Sequence, residues 1–180
     1  MTRLTLTRFN KETWEENKEW RKKNNHNGAI YGSPIRIAAS IPLDSNLFVL
    51  EMNNSIKKIE GIGYIKNNPL DKRKNIYSIK NFNRYTYKSN FRIDQRDLNS
   101  DEKNIIFALE LMIFHSWKGV DKNNIAVKAR FPKEIKYMHS ARGTGITSIP
   151  YWIANNRRYD FVKIIKTMFE SRWKENNFTS

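Results

Sequence analysis

A chain of 180 residues with 33 Lys and Arg against 18 Asp and Glu carries a formal charge of +15. That length suits one domain with a substantial core and is marginal for two, and an aromatic content of 13 % argues against wholesale disorder. The absence of cysteine excludes a disulfide framework, a thiolate nucleophile and Cys-ligated zinc.

The opening MTRLTLTRFN has no apolar run long enough for a signal peptide. No later stretch approaches the ~18 consecutive apolar residues of a membrane span, so a soluble, intracellular protein without a membrane partner is expected. Residues 10 to 25, NKETWEENKEWRKKNN, read as a surface helix. Asn10 supplies the N-cap, acids come early, and Arg21, Lys22 and Lys23 come late, as the helix dipole prefers. Gly28, Gly32 and Pro34 then punctuate a turn. IRIAASI (35 to 41) reads as a strand, and NLFVLEMNNSIKKIEGIGYIKN (46 to 67) as a hairpin turning at Asn53, Asn54 and Ser55. Gly61 and Gly63 bracket Ile62 on the returning strand. Alternate glycines there leave room for a side chain, a backbone or a ligand to come close, or mark a bulge or barrel bend.

After the charged loop NPLDKRKN, the segment IYSIKNFNRYTYKSNFRI gives further strand with a turn near Lys88, Ser89 and Asn90. Ser100 is the expected cap of a helix, NIIFALELMIFHSW, which is apolar nearly all round with Glu110 as its lone acid; a central, buried helix is predicted. RFPKEIKYMHSARGTGITSIPYWIANN mixes a short helical piece with a glycine loop. RRYDFVKIIKTMFESRWKEN then sets Phe161, Ile165, Met168 and Phe169 along one side of an amphipathic terminal helix. Strands in the middle with helices before and after them predict an α+β fold in one domain over residues 1 to 180, a curved sheet or small barrel packed with N-terminal, central and C-terminal helices.

A charge surplus of this size puts positive potential over much of the surface, and a polyanion, RNA or DNA, is its natural partner. The competing reading is compositional, an abundance of Lys that serves solubility. In NFNRYTYKSNFRI (81 to 93), a strand would place Arg84, Thr86 and Lys88 on one face and Tyr85 and Tyr87 on the other. A turn at Lys-Ser-Asn would bring Arg92 back beside those cations. Arg84, Lys88 and Arg92 then suit phosphates and the tyrosines suit base stacking, or the rings stabilise the sheet while the cations face water. In HSARGTGIT (139 to 147), Gly143 and Gly145 flank Thr144 behind Arg142, a pattern that lets successive backbone N–H groups turn toward an anion. Its spacing is not that of a Walker A loop or a dinucleotide fingerprint, and an ordinary loop competes. Arg157 and Arg158 add to the local charge. No catalytic residue, metal ligand set or cofactor is expected: His26, His115 and His139 are isolated from one another, and His115 reads as a satisfied core residue. A metal-dependent nuclease would rest on Asp44 and Glu51, but the lysine such enzymes place two residues later is Asn53 here.

Taken together, AIYGSP, LFVLEMNN with KIEGIGYI, NRYTYKSNFRI and HSARGTGIT resemble a family of proteins encoded by large nucleocytoplasmic DNA viruses, over most of residues 12 to 170. The resemblance implies a viral origin and a place in the host cytoplasm, a viral factory or the virion. It leaves open a virion or assembly role in which the basic surface meets acidic viral proteins. The strand order and GIGYI are also similar to PUA-like barrels, including the EVE and YTH branches. That similarity implies a non-catalytic reader of RNA or modified bases with an aromatic-lined pocket, for which Trp14, Trp20, Tyr31, Tyr64, Tyr85 and Tyr87 are available.

Overall fold

The computed structural model describes residues 2–115, 117–120, 126–128 and 144–178. In chain order the elements are β1 (Arg3–Phe9), α1 (Lys11–Lys23), β2 (Ala29–Ser33), β3 (Asn46–Asn53), β4 (Lys58–Lys66), β5 (Tyr85–Ser89), β6 (Phe91–Asp94), α2 (Ser100–His115), β7 (Trp117–Val120), β8 (Ala126–Lys128), β9 (Thr147–Ser148), α3 (Tyr151–Ala154) and α4 (Phe161–Phe178), with short 3₁₀ turns at Lys80–Asn83 and Gln95–Asp97. Five strands form one mixed sheet in the order β6-β4-β3-β1-β9, with β1 and β3 parallel and the other neighbours antiparallel. β2 pairs with β5, and β7 with β8, in two smaller antiparallel pairs. The fold is therefore α+β, as expected, but the main sheet is open: β6 and β9 end it without joining each other.

Period-two alternation sorts the side chains of the sheet into two cores. Leu4 and Leu6 of β1, with Phe48, Leu50 and Met52 of β3, face α2 and α4, where Leu109, Met112, Phe161, Ile165 and Phe169 cover them. Leu47 and Val49 face the other way, onto Trp14 of α1 and onto Ile30, Tyr31 and Tyr87 of the β2–β5 pair. Covering on both faces explains why all of Leu47 to Asn53 is buried. Among the described residues, no helix is long and apolar enough to cross a membrane.

Several local expectations hold. β3 and β4 form the anticipated hairpin, with Lys57 left-handed in its turn at φ 54°. Asn10 caps α1: its side chain accepts from Thr13 N at 2.8 Å while Thr13 Oγ1 accepts from Asn10 N at 3.0 Å. Glu110 on α2 is buried and accepts from Ile59 N and Lys58 Nζ, each at 2.9 Å, so the lone acid fastens the helix to the start of β4.

Others are corrected. The residue capping α2 is Asn99 and not Ser100, because Asn99 and Glu102 exchange reciprocal side chain to backbone bonds of 3.0 Å. His115 lies exposed at the helix end, outside the core. Residues 35 to 41 form no strand; only Ile37 and Ile41 are buried, and a turn closes with Ile41 N on Ala38 O at 2.9 Å. The chain instead supplies its first strand as β1, where LTLTRF alternates visibly. The turn at Lys88–Asn90 closes no hairpin: β5 pairs with β2 while β6 pairs with β4, and the chain crosses between layers at Asn90.

Candidate functional site

That crossing decides the fate of Arg92. On β6 its side chain points into the second core, where it is 3 % exposed, and closes on Glu51 of β3, which is 1 % exposed. Arg92 Nε donates to both Glu51 oxygens at 3.0 Å and Nη2 donates to Oε2 at 2.7 Å, while Nη1 reaches Asp94 at 2.8 Å. Tyr31 Oη donates to the other side of Glu51 at 2.8 Å, and the Arg92 guanidinium lies 5.7 Å from the Trp14 ring centroid. Burial alone would depress the Arg92 pKa, but the Glu51 carboxylate reverses that and raises it. Burial works against the charge of Asp94 as well, and hydrogen bonds from Arg96 and Arg92 overcome it and hold its carboxyl below the usual range. The room comes from the glycines of β4. A methyl on Gly61 would lie 2.5 Å from Arg92 Nη2 and 2.7 Å from Glu51 Oε2, and one on Gly63 would collide with the Tyr31 hydroxyl. The space expected at these glycines is filled by the protein itself.

A small cavity of about 230 Å³ opens where the end of β1 and the start of α1 meet β2. Phe9, Pro34, Tyr77 and Phe82 give it apolar walls, and Thr7, Asn10, Thr13 and Asn54 bring polar atoms to its edges. The two rings are placed by Asn83, whose Oδ1 accepts from Ile76 N at 2.9 Å and Tyr77 N at 3.0 Å while its Nδ2 donates to Tyr77 O at 2.7 Å. This folds residues 76 to 83 into a tight bend presenting Tyr77 and Phe82, whose centroids lie 6.4 Å apart. Glycine is required at position 32, since a Cβ there would stand 2.5 Å from Phe82 O and 2.8 Å from Tyr77 Cε2. Beside this wall, Tyr85 is half-buried opposite Ser33, with the Arg36 guanidinium 5.1 Å and that of Arg84 5.5 Å from its ring centroid. Both cations are exposed.

Of the residues singled out in the sequence, Thr144 and Gly145 line this cavity, with Gly145 left-handed at φ 74° and packed against Ser33. Arg84 and Tyr85 stand next to it in the chain after Phe82. Lys88 is exposed at the opposite end of β5, across from Ile30. Tyr87, expected to stack on a base, is 1 % exposed and its hydroxyl accepts from Ile37 N at 3.1 Å; Arg92, expected to hold phosphate, is bound to Glu51 and Asp94. Both point inward because the β2–β5 layer packs on the sheet, leaving no solvent-facing side there. Thr86 is likewise covered, its Oγ1 accepting from Lys74 N at 3.0 Å, so the alternating cationic face is broken. Arg157 and Arg158 are exposed in the turn before α4, where Arg158 lies 5.5 Å from the Tyr159 ring on the helical side of the sheet, apart from the cavity. Arg142, Gly143 and His139 lie outside the described residues.

The nuclease reading loses its carboxylates: Glu51 is held by Arg92 and Tyr31, and Asp44 is exposed in a loop, accepting from Asn68 at 3.1 Å. Trp14, Tyr31 and Tyr87 belong to the core and Tyr64 packs against α4, so none of them lines the cavity. Two of the rings that do line it, Tyr77 and Phe82, are not among the candidates the sequence offers. The signal for them is IYSIKNFN, two aromatics flanking a polar bend that ends in an amide able to bond three backbone groups. Comparison of the chain with protein-family models, curated proteins and solved structures returns no match.

Proposed function

We propose that the protein binds nucleic acid without catalysis and that one unpaired base enters the cavity beside Gly32. The observation that carries this reading is the pairing of a small aromatic-walled cavity with exposed cations on the adjoining Tyr85 ring. At about 230 Å³ it falls below the volume of a drug-sized site, roughly 300–1,000 Å³, and suits one flat heterocycle. Rings stack on a base and polar groups at the edges bond its rim, while Arg36 and Arg84 meet the flanking phosphates. The formal charge of +15 supplies the long-range attraction.

The test is binding of a labelled RNA strand across a salt series. Phe82→Ala should weaken binding about tenfold, as loss of one base-stacking ring does, and Arg36→Ala with Arg84→Ala should flatten the dependence on salt by about two phosphate contacts. Affinity that ignores both salt and Phe82→Ala would end this reading.

A further inference from the structure

A second system of cavities lies at the margin of the sheet, where β6 has one partner strand among the described residues. β6 is the end strand, and a groove of about 630 Å³ runs beside it, walled by Phe91, Ile93, Phe169 and Trp173 and rimmed by Asn90 and Asn99. Phe91 is 45 % exposed, and its ring meets that of Trp173 edge to face with centroids 5.3 Å apart. Tyr64 and Phe169 support Trp173 at 5.7 and 6.0 Å, so the aromatic wall is braced behind and open in front. Glu102, which also lines the groove, is matched by Arg172 through bonds of 2.7 and 2.8 Å.

On the other side of β6, a cleft of about 560 Å³ is lined by Lys18, Arg21, Lys22, His26 and Arg96. Asp94 in its wall is bound to Arg92 and Arg96, and Lys18 pairs with Glu15 at 2.9 Å; the Lys18 and Arg96 side chains stay exposed, so a phosphate competes with surface acids for them. Arg92 and Asp97 border both the cleft and the groove, so cations and flat rings follow one another around the same edge.

We infer that this edge is a track for single-stranded nucleic acid, with phosphates in the cleft of Lys18, Arg21, Lys22 and Arg96 and a base stacked on Phe91 and Trp173. The inference rests on the nucleic-acid reading above and adds a second contact, along the β6 edge, that calls for a continuous single strand. A cationic groove with adjoining rings is the combination by which single strands are held. A duplex keeps its base faces stacked inside and has none to offer Phe91. A peptide added to the margin of β6 would use backbone hydrogen bonds and has no need of the cations.

The experiment titrates the full chain with a short fluorescent RNA, single-stranded and then annealed to its complement. The single strand should bind more tightly. Phe91→Ala and Phe91→Ile should each weaken it about tenfold, Phe91→Trp should restore it, and duplex affinity should stay constant across the set. Phe91 is exposed enough that truncation leaves the fold intact, which circular dichroism checks, and the Ile variant keeps apolar volume without a ring. The inference is overturned if Phe91→Ile binds like the parent, or if strand and duplex bind equally. It is also overturned if Phe91→Ala abolishes self-association in sedimentation while RNA affinity is unchanged, because the groove is then a protein contact. If Phe82→Ala weakens binding and Phe91→Ala does not, the track fails while the Gly32 cavity stands. If the parent binds neither form, both readings fall together.

Discussion

Glu51 shows how much one side chain can fix. With 1 % of its surface exposed it holds Arg92 and Tyr31 together, and through Arg92 it connects the middle of the sheet to the end strand. A buried pair of this kind adds little net stability over an apolar substitute, but removing one partner strands the other charge away from water, which costs about 3 to 5 kcal/mol. Glu51→Gln should therefore lower the unfolding free energy at neutral pH by up to that amount, read as a lower urea midpoint, and an unchanged midpoint would show that Asp94, 2.8 Å from Arg92, suffices as its counter-ion. The sequence carries half of this arrangement. Gly61 and Gly63 announce a close approach, whereas the partner of Arg92 sits 41 positions away and period-two alternation says nothing about it. Alternation predicts which residues share a face, not whether that face meets water or a second layer.

At the scale of elements, part of what is local was legible, although residues 35 to 41 form no strand and Asn99, not Ser100, caps α2. The box formed by Asn10 and Thr13 starts α1 where an amide before an acidic turn says it should. Asn10→Ala removes an acceptor for Thr13 N and should cost about 1 kcal/mol, read as a drop of a few degrees in thermal midpoint; Asn10→Ser should recover most of it. The β3–β4 hairpin was readable for the same reason, since a polar turn joins two apolar runs. Pairing between distant strands was not. β1 finds β3 in parallel register, Arg3 opposite Leu47, across a connection of more than thirty residues, and nothing in either segment names the other. The candidate cavity inherits that difficulty. Thr144 and Gly145 were visible as a glycine loop, but that they stand beside Phe82 follows from the packing of Gly145 on Ser33, which only the assembled fold supplies.

Across the whole molecule, the positive surplus was the most legible property and the least localised. The structure gathers part of it at Arg36 and Arg84 and around Lys18, Arg21, Lys22 and Arg96, leaves Lys72, Arg73, Lys74, Arg157 and Arg158 exposed elsewhere, and withdraws Arg92 from the surface. The acids respond to the same field. Asp94 is held below the usual carboxylate range by Arg96 and Arg92 against the opposing effect of burial, and Glu102 by its hydrogen bonds with Arg172. Such depressed groups contribute stability that is complete above the unfolded carboxylate pKa, about 4, and is lost as pH falls through it, because the unfolded chain takes up protons first. Burial lowers His26 too, so its contribution fades earlier, as pH drops below about 6.5. Thermal midpoints measured against pH should thus decline gently below 6.5 and steeply below about 4.5. Asp94→Asn should start lower at neutral pH and show a shallower acid limb, and a parallel limb would remove Asp94 from this account.

β5 and β6 are consecutive in the chain yet belong to separate hydrogen-bonded layers, with Ser89 anchored to Tyr64 O at the crossing. Residues 89 to 91 consequently work like a stitch through two plies: the outer pair cannot peel away without tugging the sheet's marginal strand after it. Amide protons on β5 and β6 should therefore exchange in step, reporting one cooperative opening instead of two.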